Sequence, residues 1–289
     1  MQINRRRAPS SQISREKKLE GHKREDEFAL LIDARVLSGT QKADVEDKNG
    51  FNYSVKGGKK WQVFLYGYNR IATSQYLCVL QPCLDAFTED YSQYLKDRET
   101  CIGYKEDYVS TYGKLATKRL SNEDIVKELG ANTYTEAKEQ LAEATKVVCL
   151  TLQDNSFRRN FICEAMFNNE EVDFLAIKAP GSDVFSVYDK EEVLDILSDK
   201  LFPQLSRAGR VAEDYNFPGQ KTLLKYTNPK GRTKNIVEIE IRNDSNYHYR
   251  EVRFNMYSAD TLYLLSGLKS QELCRGVMVY GQAIGEVVI

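Results

Sequence analysis

The sequence has 289 residues, of which 42% are hydrophobic and 29% are charged, a composition typical of globular domains. No apolar stretch reaches the roughly 18 residues that cross a bilayer, and Arg5–Arg7 precede polar residues rather than the apolar run of a secretory signal, so we expect a cytoplasmic protein with no membrane partner. The net charge of −1 excludes an evenly basic surface, and two histidines are too few for most zinc hydrolase sites.

Residues 1–20 are predicted to form a basic flexible arm, and 21–289 a single domain with a helical insertion at about 85–165. A solvated tail and an arm that follows DNA phosphates both fit the composition of the first segment. Basic residues outnumber acidic ones from residue 1 to residue 23: Arg5, Arg6, Arg7, Arg15, Lys17, Lys18 and Lys23 stand against Glu16 and Glu20.

A helix is predicted from Glu25 to Val36, ended by Gly39, because apolar residues recur at three- and four-residue spacing. Two alternating segments follow, Ala43–Asp47 and Phe51–Lys56. The intervening Lys48–Gly50 favours a β-hairpin, since Asn and Gly tolerate positive φ.

The length of the hairpin loop decides which side chains share a face. A two-residue loop would place Asp44 and Lys56 on opposite faces of the ribbon. A three-residue loop, with its Gly50 in the left-handed bulge position, places Asp44 opposite Ser54 and on the same face as Lys56. We predict the three-residue loop.

The rest of the chain is predicted to be mixed. Residues 61–95 are apolar enough for buried helices, although Trp61–Tyr66 also fits a strand. The remaining elements are a helical pair between Ser121 and Leu141, which also loosely resembles a helix-turn-helix, a strand at Val172–Lys178, a helix at Lys190–Lys200 and a hairpin of Asn235–Arg242 with Tyr249–Met256.

The first hairpin resembles the PD-(D/E)xK nucleases, in particular type II restriction endonucleases, over roughly residues 20–70. Ala43-Asp44 stands where the family has Pro-Asp, and Ser54-Val55-Lys56 stands where it has acid-x-Lys. The resemblance implies an α/β fold with a restriction-endonuclease-like core, a mixed central sheet flanked by helices. It also implies a homodimer that cuts double-stranded DNA at a specific sequence.

The chemistry implied by this resemblance is Mg²⁺-dependent hydrolysis of a phosphodiester. Mg²⁺ prefers oxygen ligands; Asp44 would be the first and the carbonyl of Val55 another, while the ammonium of Lys56 orients the attacking water. Ser54 occupies the position of the family's second acid. No Asp or Glu lies between Lys56 and Asp85, so the replacement candidates lie upstream.

Three upstream glutamates can supply the second carboxylate: Glu25, Glu27 and Glu46. We favour Glu25, because it lies on the apolar face of the predicted helix, where an acid is costly unless something compensates it. The alternative is that Glu25 and Glu27 are first-turn acids that complement the helix dipole.

The second hairpin, at about 235–256, is predicted to read DNA, because a two-stranded ribbon fits the major groove and its tip is rich in hydrogen-bonding groups. A polar solvent-exposed loop has the same composition. The predicted DNA contacts are Arg242, Asn243, His248 and Arg250 at the tip, with Lys59 and Lys60 after the first hairpin.

Two other functions fit the same residues. One is a DNA repair or structure-specific nuclease that shares the core. The other is a non-catalytic DNA-binding protein, which the serine at the acid position favours.

Overall fold

The computed structural model describes residues 11–39, 41–86, 131–206, 209–212, 215–217, 221–242 and 251–287. The chain divides into two compact units. Unit 1 comprises Met1–Gly58, Glu171–Asp189 and Lys269–Ile289, and unit 2 comprises Lys59–Glu170 and Lys190–Leu268. Among the described residues, no helix is long and apolar enough to cross a membrane.

Unit 1 contains a mixed seven-stranded sheet. Elements are numbered in chain order across both units, so the numbers within one unit are not consecutive. The strands of unit 1 are β1 (Arg35–Val36), β2 (Val45–Glu46), β3 (Asn52–Gly57), β5 (Phe174–Lys178), β6 (Phe185–Asp189), β13 (Ser270–Cys274) and β14 (Val277–Tyr280). The unit also contains helix α1 (Ser11–Leu31) and a 3₁₀ turn (Gly281–Ala283). The strand order is β1-β2-β3-β5-β6-β14-β13, with parallel pairs β3–β5 and β6–β14. The predicted strand at Val172–Lys178 is confirmed as β5.

Helix α1 covers one face of this sheet. It begins at Ser11 and ends at Leu31, so part of the predicted arm is helical, and the helix ends before the predicted Val36 because Asp33 turns the chain with φ 53°. Phe28 and Ala29 of α1, with Ile32 just after its end, pack into a buried cluster with residues of the central strands: Val45, Tyr53, Val55, Phe174, Ala176, Phe185 and Val187. Burial of such apolar side chains is the main source of the stability of unit 1.

Unit 2 contains a five-stranded antiparallel sheet in the order β4-β12-β11-β10-β7, and a two-stranded ribbon, β8–β9. Its elements are strands β4 (Lys60–Gly67), β7 (Phe202–Leu205), β8 (Gly209–Ala212), β9 (Tyr215–Phe217), β10 (Lys221–Thr227), β11 (Thr233–Arg242) and β12 (Glu251–Tyr257), helices α2 (Tyr68–Ala72), α3 (Gln81–Asp85), α4 (Ala131–Thr151), α5 (Asn155–Phe167), α6 (Lys190–Lys200) and α7 (Ser258–Leu265), and a 3₁₀ turn (Leu77–Leu80).

Several predicted elements of unit 2 are confirmed. Helix α6 has the predicted bounds, and β11 pairs with β12 as the second hairpin requires. Residues 61–67 form a strand rather than a helix, because β-branched and aromatic residues there pair with β12. The predicted helix at 121–130 and most of the insertion lie outside the described residues.

Candidate active site

The turn of the first hairpin has the predicted three-residue loop. The ladder pairs Val45 with Tyr53 and Glu46 with Asn52. The N–H of Asp47 donates to the carbonyl of Phe51 at 3.0 Å, and Gly50 has φ 86°, the conformation that favours glycine. The predicted register is therefore confirmed.

A buried carboxylate that sequence reasoning missed stabilises this turn. Asp47 is 5% exposed, and its Oδ1 accepts hydrogen bonds from the N–H groups of Asn49 at 2.8 Å and Phe51 at 3.0 Å. Its Oδ2 accepts one from the hydroxyl of Tyr53 at 2.9 Å. Burial raises the pKa of Tyr53, and the neighbouring Asp47 raises it further. Asp47 is thus satisfied within the turn and holds its shape.

Asp44 and Lys56 converge across the hairpin, as predicted. The Oδ2 atom of Asp44 accepts hydrogen bonds from Lys56 Nζ at 2.7 Å, from the N–H of Val55 at 2.7 Å and from Ser54 Oγ at 3.3 Å. Both charged side chains are mostly buried, with 17% of Lys56 and 19% of Asp44 exposed. The carboxylate is therefore held in one orientation before any ligand binds.

Two further acids bind the backbone of this hairpin: Asp173, and Glu171, which sequence reasoning missed. Glu171 Oε1 accepts hydrogen bonds from the N–H groups of Lys42 and Ala43, and Asp173 Oδ2 accepts one from the N–H of Asn52 at 2.8 Å. Both acids immediately precede β5, so they approach the hairpin from the neighbouring strand.

The three candidate second carboxylates are each bound to a different nitrogen-bearing side chain. Glu25 lies 3.0 Å from His22 Nδ1 in α1. Glu27 pairs with Lys178 at 2.5 Å. Glu46 pairs with Arg35 at 2.7 Å.

The structure does not bring Glu25, the favoured candidate, to Asp44. Alternate residues of a strand point to opposite faces, and α1 packs on the face formed by Tyr53 and Val55. Ser54, Lys56 and the carboxylate of Asp44 therefore lie on the opposite face. The position of Glu25 does not support its predicted role as a metal ligand.

The oxygen donors at Asp44 fit a magnesium ion only in part. Within the described segments, no group of three or more His, Cys, Asp or Glu side chains is placed to hold a metal. Mg²⁺ commonly binds through one or two carboxylates together with substrate phosphates, and keeps several waters. The three hydrogen bonds to Asp44 all end on Oδ2, so Oδ1 is the atom that suits a cation. The donor set fits a site completed by a phosphate, not one built by protein alone.

The predicted DNA contacts are only partly described. Asn243, His248 and Arg250 lie outside the described residues, and Arg242 is the last residue of β11, described by its backbone alone.

The two lysines that follow the first hairpin are both described. Lys59 is exposed. Lys60 pairs with Glu238 at 2.5 Å and lies 5.0 Å from the centre of the Tyr257 ring.

Comparison with known proteins identifies no relative. No family model matches the sequence, and no curated protein or solved structure matches it. The function must therefore be argued from the geometry of the hairpin.

Proposed function

We propose that this protein is a Mg²⁺-dependent nuclease that hydrolyses phosphodiester bonds of double-stranded DNA at the first hairpin. One observation supports the proposal above all others. A carboxylate and an ammonium, Asp44 and Lys56, meet at 2.7 Å on one face of a hairpin whose turn was predicted from the sequence. An anionic metal ligand beside a fixed cation is the smallest set of groups that supports attack of water on a phosphate.

Each residue of the hairpin has a definite task in this proposal. Asp44, fixed through Oδ2 by Val55 N–H and Lys56, would bind the cation through Oδ1, and the carbonyl of Val55 would be the second protein oxygen. Bound Mg²⁺ would lower the pKa of a water ligand and neutralise charge on the phosphoryl oxygens. Lys56 orients the attacking water and stabilises the developing negative charge. Ser54, which is 1% exposed, donates to Asp44 and keeps the carboxylate aligned.

The finer parts of the proposal rest on the resemblance to type II restriction endonucleases. These are cleavage at one sequence, a homodimer that cuts both strands and a restriction-endonuclease-like core. Location in the cytoplasm is a separate expectation, drawn from the composition of the sequence. The mixed α/β architecture of unit 1 agrees with such a core at the coarse level.

A second candidate is a non-catalytic DNA-binding protein, and a specific observation favours it. Ser54 stands at the family's acid position, and each upstream glutamate is already bound by another side chain, Glu25 by His22, Glu27 by Lys178 and Glu46 by Arg35. Under this alternative the ion pair of Asp44 and Lys56 only stabilises the hairpin.

Digestion of phage DNA in Mg²⁺ tests the proposal. We expect discrete bands from the wild type and none from Asp44→Asn or Lys56→Ala, while both variants still bind DNA in Ca²⁺. Lys178→Ala is the matched control, because Lys178 is a lysine on the adjacent strand β5, 15% exposed and in a similar ion pair. It should cut like the wild type.

The outcomes separate the candidates. Cleavage to a smear, lost in both variants, would indicate a repair or structure-specific nuclease with the same site. Binding without cleavage by the wild type would support the non-catalytic protein, and cleavage that survives both substitutions would exclude the hairpin as the active site.

A further inference from the structure

Glu171 binds the two backbone N–H groups that directly precede Asp44. Its Oε1 accepts the N–H of Ala43 at 3.1 Å and also the N–H of Lys42. Hydrogen bonds to a charged acceptor are roughly twice as strong as neutral ones, so the contact fixes the path of the chain at this point.

This contact coincides with the point at which the β2–β3 ladder ends. The paired residues are Val45 with Tyr53 and Glu46 with Asn52, whereas Lys42 and Ala43 direct their N–H groups to Glu171. Beyond Val45 the carboxylate of Asp44 takes the N–H of Val55, at 2.7 Å. A side chain thus occupies the place that a backbone carbonyl takes in a continued ladder.

The same short segment also holds the other strand of the hairpin. Asp173 donates its N–H to the carbonyl of Asn52 at 2.9 Å, and its Oδ2 accepts the N–H of Asn52 at 2.8 Å. Residues 171–173 therefore contact both arms of the hairpin, and Glu171 contacts the arm that contains Asp44.

We propose that Glu171 is a positioning residue for Asp44. By binding the N–H groups of Lys42 and Ala43, it draws the chain out of the ladder and directs the carboxylate of Asp44 to Lys56. The claim that Glu171 affects catalysis rests on the proposed function. The claim that Glu171 positions Asp44 rests on the hydrogen bonds alone.

Hydrogen exchange at the Val55 amide tests the structural part without any cleavage. In Glu171→Ala we expect this amide to exchange at least about fivefold faster, because its bond to Asp44 is weakened, while the amides of β5 keep their protection. Glu171→Gln should be affected less than Glu171→Ala, since its amide oxygen still accepts both N–H groups, although without the charge. Glu170→Ala is the matched control, because the adjacent Glu170 is exposed and pairs with Lys190.

The kinetic readout separates positioning from binding. Misplacement of a catalytic group by about 1 Å costs on the order of 100-fold in rate, so we expect Glu171→Ala to lower kcat by about that factor with KM unchanged. Glu171→Gln should retain kcat, whereas Glu171→Asp, one methylene shorter, should lose it.

Unchanged Val55 exchange in Glu171→Ala would overturn the inference. If Glu171→Ala loses protection throughout β5, the comparison of Glu171→Gln with Glu171→Asp replaces it as the test. Equal exchange of the Val55 amide in these two variants would also overturn the inference. A wild type that does not cut DNA refutes the proposed function but leaves the exchange experiment as a test of the positioning.

Discussion

The ammonium nitrogen of Lys56 lies 2.7 Å from Oδ2 of Asp44, and the same oxygen accepts the N–H of Val55. The two opposite charges form an ion pair, and most of each side chain is shielded from water. Removing one partner therefore affects stability as well as any catalysis, and the two effects must be measured separately.

Asp44→Ala is expected to lower the free energy of unfolding by about 1–3 kcal/mol, because it leaves the N–H of Val55 and a mostly buried ammonium without their acceptor. Asp44→Asn keeps an acceptor oxygen and should cost about 1 kcal/mol or less. Urea denaturation of both variants and the wild type measures this order. A cost below about 0.5 kcal/mol for Asp44→Ala, as for an ordinary surface substitution, would show that the carboxylate contributes nothing to the hairpin.

The side chain of Arg24, from α1, lies so close to Gly57 that it leaves little room for a side chain at that position. A Cβ at position 57 would lie 2.7 Å from Arg24 Cδ and 2.8 Å from Nε. Gly57→Ala should therefore displace Arg24 and cost about 1 kcal/mol, as overpacking does. In an Arg24→Ala background the same change should be neutral or stabilise by up to about 1 kcal/mol, because alanine restricts the unfolded chain.

A double-mutant cycle with urea denaturation measures this coupling. Gly58→Ala serves as the comparison, because Gly58 has φ 84° and no atom within 4 Å of its added Cβ. Its cost should come from backbone strain and remain the same with or without Arg24. Equal costs for Gly57→Ala in both backgrounds would refute the steric explanation.

The first hairpin could be predicted because its determinants are local. The loop Lys48–Gly50 and the alternation around it fix which residues face one another, and the odd loop length alone brings Asp44 and Lys56 to one face. The bounds of α6 could also be predicted from local signals, since Glu191 and Glu192 lie in its first turn and Lys200 lies in its last.

Glu171 and Glu25 show where such reasoning stops. Glu171 acts on Ala43, 128 residues earlier in the chain, and no local pattern connects positions so far apart. The spacing of apolar residues placed Glu25 correctly on a mostly buried part of α1, 19% exposed. Periodicity does not reveal which face of the sheet a helix covers, and α1 covers the face opposite Lys56.

Tyr53→Phe tests the buried hydrogen bond to Asp47. At pH 7 the variant should be less stable by about 1 kcal/mol, since one donor to a buried carboxylate is lost. Burial and the neighbouring Asp47 raise the pKa of Tyr53 in the folded state. The unfolded tyrosine ionises above about pH 10, so the wild type loses stability as the pH rises beyond that value.

The difference in stability between wild type and Tyr53→Phe should therefore shrink as the pH rises above about 10. Thermal or urea unfolding at a series of alkaline pH values gives this difference. A gap that stays constant or widens would mean that the hydroxyl of Tyr53 ionises at least as readily in the folded state as in the unfolded one.

Lys60, a predicted DNA contact, is held by Glu238. Burial alone would raise the pKa of Glu238, but hydrogen bonds from Lys221 and Lys60 outweigh it and lower the pKa to about 2. The carboxylate is therefore ionised at neutral pH and competes with a DNA phosphate for Lys60. Glu238→Gln removes this competitor, and we expect DNA affinity in Ca²⁺ to rise, as measured by fluorescence anisotropy.

The salt dependence shows whether Lys60 is the lysine responsible. Loss of one phosphate contact lowers the slope of log affinity against log salt by about 1, so Lys60→Ala should reduce both affinity and slope. In the double variant with Glu238→Gln the gain in affinity should vanish, because Lys60 is no longer there, while Lys221, the other lysine bound to Glu238, remains paired with Glu240. Lys200→Ala, which removes an exposed lysine paired with Asp199, controls for a general loss of positive charge. If Glu238→Gln strengthens binding equally with and without Lys60, the carboxylate acts by simple repulsion of DNA, and Lys60 is not a phosphate contact.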